Sequence, residues 1–429
     1  MRSGSWGGQV YTQEFLTRAA AVYEQVLRPA GITPKFFESP TTASTIGTTF
    51  EIKNLITNGL LNGRNGTEFV NAWNQHDYFY YIGVTQRPIV LNDLMRLDAT
   101  DVQFKYWAQQ TAIALNTGLP YVLREMSSVG PIGMHEISDA FGAALWTLNF
   151  FLYTATLNIS SVQMHMTDNS NASAWQPRTM YGRDTFVRPQ YYAHAAMAQI
   201  IGNGNGTTQI GKLTIEDVDS DYQGRLRAYS LYTNSNLQSV VLINAKMANA
   251  SNSNKESFTF DLNLGGENGD LNLYLSYLTA DGADSLEGTT FNGITYDDIT
   301  GKASTANTTP VPLRTSSSGR VSIPVRDSQA VVANIGSLLG SNAVIVGGGT
   351  TTTKKSTAGP TRTAGSRTAV WTGIATTTLM LASSLSSGRD AEETGSKSEG
   401  TDGVKQRRSS LITIGICLLG VVVGFICLA

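Results

Sequence analysis

The stretch "YVLREMSSVGPIGMHEISDAFGAALWTLNFF", Tyr121 to Phe151, starts as an apolar run, delivers one acid, Glu125, into a Ser/Gly/Pro loop, and becomes strongly apolar again from Ser138. A short apolar run, a polar loop and a helical pattern in that order make one strand-helix unit. Comparable units flank it. Upstream, "TQEFLTRAAAVYEQVL" places Phe15, Ala19, Tyr23 and Val26 on one helical face, and a short run in "TPKFFES", a helical segment "TFEIKNLITNGLL" and a strand with its loop, "FVNAWNQHDYFYY", follow. Asp98 to Asn116 reads as a further helix, "SSVQMHM" as the next strand and "PQYYAHAAMAQII" as a closing helix. Such alternation predicts a parallel sheet. A complete eight-stranded barrel takes about 250 residues. Residues 1–205 therefore read as an incomplete (β/α)8 barrel holding about the last four units. No strand precedes the first helix, so the chain is expected to start inside the fold.

Past Gly206 the helical spacing gives way to two-residue alternation in "LRAYSLYTN", "SFTFDLNLG" and "RVSIPVRDSQAVVANI", separated by turn clusters such as "GGENGD". Residues 206–337 are thus expected to form an antiparallel β-sandwich. The class is α/β plus all-β. Residues 338–410 are rich in Ser, Thr and Gly, with too little apolar content for a core, and read as a disordered stalk. Residues 411–429, "LITIGICLLGVVVGFICLA", carry no charge and approach the roughly 20 residues of a membrane-crossing helix. Stalk, small residues, spacer and apolar tail fit a glycosylphosphatidylinositol (GPI) attachment signal. A retained tail anchor is the competing reading. Either way the expected partner is a membrane; a removed signal places the domains at the cell surface, a retained anchor leaves them on the cytoplasmic side, and the long Ser/Thr-rich stalk favours the cell surface. The start, "MRSGSWGGQVYTQ", lacks the form of a secretory signal, while six Asn-x-Ser/Thr sequons, at Asn65, Asn158, Asn171, Asn205, Asn249 and Asn307, are compatible with secretion.

Among 429 residues the formal net charge is −2, which gives no basic excess for nucleic acid. The two cysteines, Cys417 and Cys427, both lie in the tail, so the globular part holds no disulfide. His135, His165 and His194 share no metal-ligand spacing, and "GNGNGTT" and "VGGGTTTTKKS" lack P-loop spacing. Neither a metal nor a cofactor is expected.

In a βα barrel, chemistry sits on the loops at the carboxyl ends of the strands. Glu125 is placed at such an end, and an acid there has either a structural partner, Arg124 or a backbone amide, or a chemical task. Glu38 and Asp77 also close short runs and could reach the barrel mouth, although Glu38 could cap a turn before Pro40 and Asp77 could be solvated. Asp139 is expected to stabilise the following helix as a cap or first-turn acid. His76 is a structural or a site histidine, and Tyr78 and Trp175 are site or packing aromatics.

The segment from Leu123 to Met166, with Ser138-Asp139-Ala140-Phe141-Gly142-Ala143-Ala144-Leu145-Trp146 at its helix start, resembles the nucleophile region of glycoside hydrolase family 79, the β-glucuronidase and heparanase-like enzymes. "VRPQYYAHAAMAQ" and "LTADGADSLEGTTFNGITY" resemble later parts of the same proteins, so the likeness covers most of Tyr11 to Gly336. It implies a retaining β-glycosidase acting on β-glucuronides of glycans or proteoglycans, with two carboxyls about 5 to 5.5 Å apart. Glu125 matches the nucleophile, on the seventh barrel strand. His76 and Tyr78 match a His-x-Tyr near the sugar, and Trp175 stands where related proteins often have Tyr, a departure that bears on uronate preference. The acid/base of such an enzyme is a Glu in an Asn-Glu pair, and none occurs between Met1 and Glu125. The resemblance therefore implies an amino-terminally truncated chain. The alternative is a catalytically inactive, surface-anchored carbohydrate-binding or wall-associated module.

Overall fold

Four parallel strands stand in sequence order: β1 (Phe37–Ala43), β2 (Val70–Tyr81), β3 (Tyr121–Gly130) and β4 (Ile159–Met164). This computed structural model describes residues 6–43, 46–62, 69–167, 169–180, 182–202, 208–304, 312–339 and 410–413. The chain divides into two compact units, Met1–Gly347 with Ser409–Ala429, and Gly348–Arg408. All described residues belong to the first. Helix α1 (Gly8–Val22) precedes β1, and α2 (Ile52–Thr57) links β1 to β2. The turn α3 (Leu91–Leu94) and α4 (Asp101–Leu115) lead to β3, α5 (Phe141–Thr156) joins β3 to β4, and α6 (Pro189–Ile201) follows the short strands β5 (Trp175–Gln176) and β6 (Phe186–Val187). Pro189 sits in the first turn of α6, where a missing N–H costs no hydrogen bond.

The antiparallel part comprises β7 (Thr208–Leu213), β8 (Leu226–Thr233), β9 (Asn236–Asn244), β10 (Ser257–Asn263), β11 (Asn272–Thr279), β12 (Thr290–Phe291), β13 (Leu313–Arg314), β14 (Arg320–Arg326) and β15 (Gln329–Ile335). Seven of these form one sheet in the order β12-β11-β15-β9-β8-β7, with β13 on β11. β10 pairs with β14 and, in parallel, with β16 (Ser410–Thr413). Parity divides the seven-stranded sheet. Ala228, Val240, Leu242, Val331 and Ala333 meet Phe258, Phe260, Leu262, Val321, Ile323 and Val325 of the smaller sheet. Tyr229, Leu231, Val241, Ile243, Ala330 and Val332 turn the other way and join the core around α5 and α6.

Fourteen of the sixteen residues of α5 are buried, which explains a helix apolar on every side: it lies between the parallel sheet and the seven-stranded one. Polar contacts tie these layers together. Tyr229 Oη donates to Asn149 Oδ1 at 2.7 Å, and Arg227 pairs with Asp101 at 2.9 Å and reaches the Leu97 carbonyl. The first N–H groups of α5 have no partner within the helix. Those of Phe141 and Gly142 donate to the carbonyls of Ser285 and Ala283, at 2.9 and 2.8 Å. This corrects the expectation for Asp139. The N-cap residue is Ala140, with no side-chain cap, and Asp139 instead lies 2.8 Å from His135 Nδ1.

No described helix is long and apolar enough to cross a membrane, and the tail beyond Thr413 and residues 340–409 of the stalk lie outside the described residues. So do the sequons at Asn65, Asn205 and Asn307. Asn171 is 9% exposed and its Oδ1 accepts from Arg183 at 2.6 Å.

Candidate active site

Successive strand residues point to opposite faces of a sheet, and this decides which side chains meet. Trp73 and Gln75 of β2 face the helices: Trp73 Nε1 donates to Thr117 at 2.9 Å, and Gln75 takes a bond from Tyr121 Oη at 2.6 Å and lies beside Gln110. Asn74, His76 and Tyr78 therefore share the inner face. In β3, Tyr121 and Leu123 pack in the helical core, so Arg124 points inward and strict alternation would return Glu125 to the helices. It does not. Gln75 pairs with Leu123 and Asp77 with Met126, while Val162 and Met164 of β4 pair with the same two residues. Against both neighbours β3 carries one extra residue, a bulge, and bulges re-aim side chains. Arg124 and Glu125 consequently both face inward. The sequence-based expectation that β3 ends at Glu125 is corrected by this, since the strand runs on to Gly130.

Tyr78 Oη donates to Glu125 Oε1, and Oε2 lies 3.6 Å from His76 Nδ1. The Glu125 side chain keeps 39% of its surface exposed, against 16% for His76, so the carboxylate is held from one side and open on the other. Burial first, then the Glu125 acceptor and its charge, push the Tyr78 phenol well above its usual range, which keeps it a proton donor at physiological pH. Burial lowers the His76 pKa against the opposing pull of Glu125 and Glu38, which favours a neutral ring. Gly130 makes room: a Cβ there would lie 2.7 Å from ring atoms of Tyr78 and Tyr81. His165, one residue beyond β4, stands edge-on to Tyr78 with ring centres 6.1 Å apart. In the sequence His165 stands out only as a residue without metal-ligand spacing. Its place directly after a strand was the available signal.

Beside the bulge lies an ion-pair network spanning all four strands. Arg124 Nε is 3.0 Å from both Glu38 oxygens, Nη2 is 2.6 Å from Oε1, and Nη1 donates to Ser161 Oγ at 2.9 Å. Asn74 Nδ2 adds a bond to Glu38 Oε2 at 2.9 Å. Glu38, a candidate second catalytic acid from the sequence, thus has both oxygens taken up by Arg124 and Asn74. The Asp77 side chain lies outside the described set.

Trp175 goes elsewhere. Its Nε1 donates to the Asp298 carbonyl at 2.9 Å, its ring lies edge-on to Tyr191 and beside Gly301, and Val187 N–H reaches Asp298 Oδ1. The structure brings Glu125, His76 and Tyr78 together and sets Trp175 against the loop around Asp298. Among the described residues no three His, Cys, Asp or Glu side chains gather to hold a metal ion.

A parallel βα sheet carrying a bulged inner glutamate is packed on an antiparallel two-layer unit, an arrangement shared with a solved glycosidase. The solved structure of a 4-O-α-L-rhamnosyl-β-D-glucuronidase from Fusarium oxysporum matches with a TM-score of 0.62 at 20% identity, over 77% of this chain and 65% of that one. Residues 228–332 match the glycosyl hydrolase family 79 C-terminal beta domain. A β-glucuronidase of Aspergillus niger is 27% identical over 320 residues, 69% of this chain and 55% of that protein. A β-glucuronidase of Neurospora crassa is 26% identical over 240 residues, 50% of this chain and 42% of the relative. Residues 228–332 are thus similar to the C-terminal beta domain of family 79, and the chain spans about half the length of the curated relatives it matches.

Proposed function

We propose that Glu125 is the nucleophile of a retaining β-glycosidase acting on β-glucuronides of glycans or proteoglycans, and that this chain supplies about the last four strand-helix units of its barrel. The contact that carries the reading is Tyr78 to Glu125. A nucleophilic carboxylate needs one oxygen fixed and the other free to reach the anomeric carbon. The phenol fixes Oε1, and Oε2 stays open beside a neutral His76. Tyr78 and His76 would line the sugar site. Trp175, in its position against the Asp298 loop, would act as a wall farther from Glu125. With Glu38 held by Arg124, the general acid belongs, on this proposal, to a segment outside these residues. The name of the relatives as β-glucuronidases supports the substrate class.

The general acid can be separated from the nucleophile. A 2-fluoro-glucuronyl fluoride needs no proton on its leaving group, so the chain should become labelled on Glu125, detected by peptide mass spectrometry, and Glu125→Gln should not. Aryl β-glucuronides with poor leaving groups should turn over about 10² to 10⁴-fold more slowly than in a protein with its acid in place. Labelling that persists in Glu125→Gln overturns the assignment. Absence of any labelling in the folded chain favours instead a surface module that binds carbohydrate without cleaving it.

The tail completes the proposal. Residues 411–429 would serve as a GPI signal behind the stalk of residues 338–410, and place residues 1–205 and 206–337 outside the cell. Release by phosphatidylinositol-specific phospholipase C tests this, and a protein that stays membrane-bound after treatment refutes it.

A further inference from the structure

We propose that Arg124 is a positioning residue for Glu125, holding the extra residue of β3 so that the carboxylate stays on the inner face. The inference rests on the reading of Glu125 as nucleophile. Its observations are geometric. A bulge interrupts the β-ladder, and at Arg124 the displaced N–H donates to Asn74 Oδ1 at 3.3 Å. The other end of that amide, Nδ2, donates to Glu38 Oε2, and Glu38 grips the Arg124 guanidinium through Nε and Nη2. Backbone amide, Asn74, Glu38 and side chain of Arg124 thereby close a ring, and Ser161 of β4 takes the remaining Nη1. Both the main chain and the side chain of one bulge residue are tied to three neighbouring strands. Without these ties the strand can return to simple alternation, which would turn Glu125 toward the helices and away from Tyr78 and His76. The planar fork of arginine suits this task, because it binds a carboxylate in two places and still reaches a third group; a lysine cannot.

The test reads whether Glu125 still faces His76, and requires no turnover. His76 is flanked by Glu125 and Glu38, both of which favour its protonated form. In the full chain, NMR titration of the His76 ring is measured with Glu and with Gln at position 125, in two backgrounds. Glu125→Gln should lower the His76 midpoint in the parent protein. In Arg124→Met that lowering should vanish, because the carboxylate no longer lies beside the ring. Loss of the Arg124 charge itself shifts His76 equally with Glu or Gln at 125 and cancels in the difference. Arg124→Lys should restore little of the coupling. If Arg124→Met does not fold, Asn74→Ala removes the acceptor of the displaced N–H and should weaken the coupling in the same sense. An undiminished Glu125→Gln shift in these backgrounds overturns the proposal, while covalent labelling of Glu125 decides the nucleophile independently.

Discussion

Strands β3 and β9 both run through the middle of a sheet, and they are built differently. In β9, Val240 and Leu242 meet the smaller sheet while Val241 and Ile243 meet α5 and α6, so every position from 240 to 243 is apolar. In β3, Tyr121, Leu123 and Met126 are apolar toward the helices, whereas Arg124 and Glu125 occupy the inner face with Asn74, Glu38 and Ser161 around them. A central strand carries charge on one face only when that face fronts something other than a core. The parallel sheet of this protein keeps one side polar, and the seven-stranded sheet keeps neither.

The difference can be broken hardest at β9. Leu242 is fully buried between the two antiparallel layers, and Leu242→Ala should cost about 3 kcal/mol through lost transfer energy and the cavity left behind. Urea denaturation monitored by tryptophan fluorescence measures it. A cost below about 1 kcal/mol would mean that the smaller sheet does not cover that face.

The inner face of the parallel sheet should respond less. Arg124→Met leaves Glu38 without its main partner, yet the two side chains keep 27% and 24% of their surfaces exposed, so water recovers part of the loss. We expect about 1 to 2 kcal/mol, below the 3 to 5 typical when one member of a fully buried pair is removed. Adding Glu38→Met should return most of it. Failure of the double variant to recover would show that the network stabilises the bulge through Asn74 rather than through paired charge.

Much of this contrast was legible in the sequence. The helices and parallel strands announced themselves by apolar spacing, and "RVSIPVR" alternates because β14 has one covered face. Other features were not legible. A bulge leaves no mark in "YVLREMSS", because whether Arg124 and Glu125 share a face depends on how β2 and β4 pair with them. The cap of α5 was equally hidden: its acceptors, Ala283 and Ser285, lie about 140 residues downstream, so the nearby Asp139 invited a local answer. Glu38 and Arg124, 86 positions apart, form a pair that only the sheet order β1-β2-β3-β4 creates.

The helical layer between the two sheets gives a pH-dependent test. His194 of α6 stands edge-on to Phe151, with ring centres 4.9 Å apart, and burial pushes its pKa down from 6.5 to about 4. The unfolded chain therefore takes up a proton between those values that the folded chain refuses. Stability from this site is intact above pH 6.5, falls as pH drops through the window and levels off below about 4. One pKa unit corresponds to about 1.4 kcal/mol, and because the residue is only partly enclosed we expect a total loss of about 2 kcal/mol. His194→Gln should flatten the acid limb of stability between pH 6.5 and 4. An unchanged limb would place the proton elsewhere.

The smallest effect belongs to the outer face of β14, where the pattern is one-sided. Val321, Ile323 and Val325 point into the antiparallel core, while Arg320, Ser322 and Pro324 are exposed. Ser322→Val would put a third kind of residue to the test, an apolar side chain on a face that has no core to join. Valine gains a little from its strand preference, a scale that spans about 1 kcal/mol. It loses the exposed hydrogen bond from Ser322 to Asp261, which water replaces readily. These offset, and we expect a change within about 0.5 kcal/mol of zero by thermal or urea unfolding. The same exchange made in β9, Val241→Ser, removes methyl groups from a site with no exposed surface and should cost several times more. If the two substitutions proved equal in size, the distinction between a sheet covered on both faces and one covered on a single face would not hold for this protein.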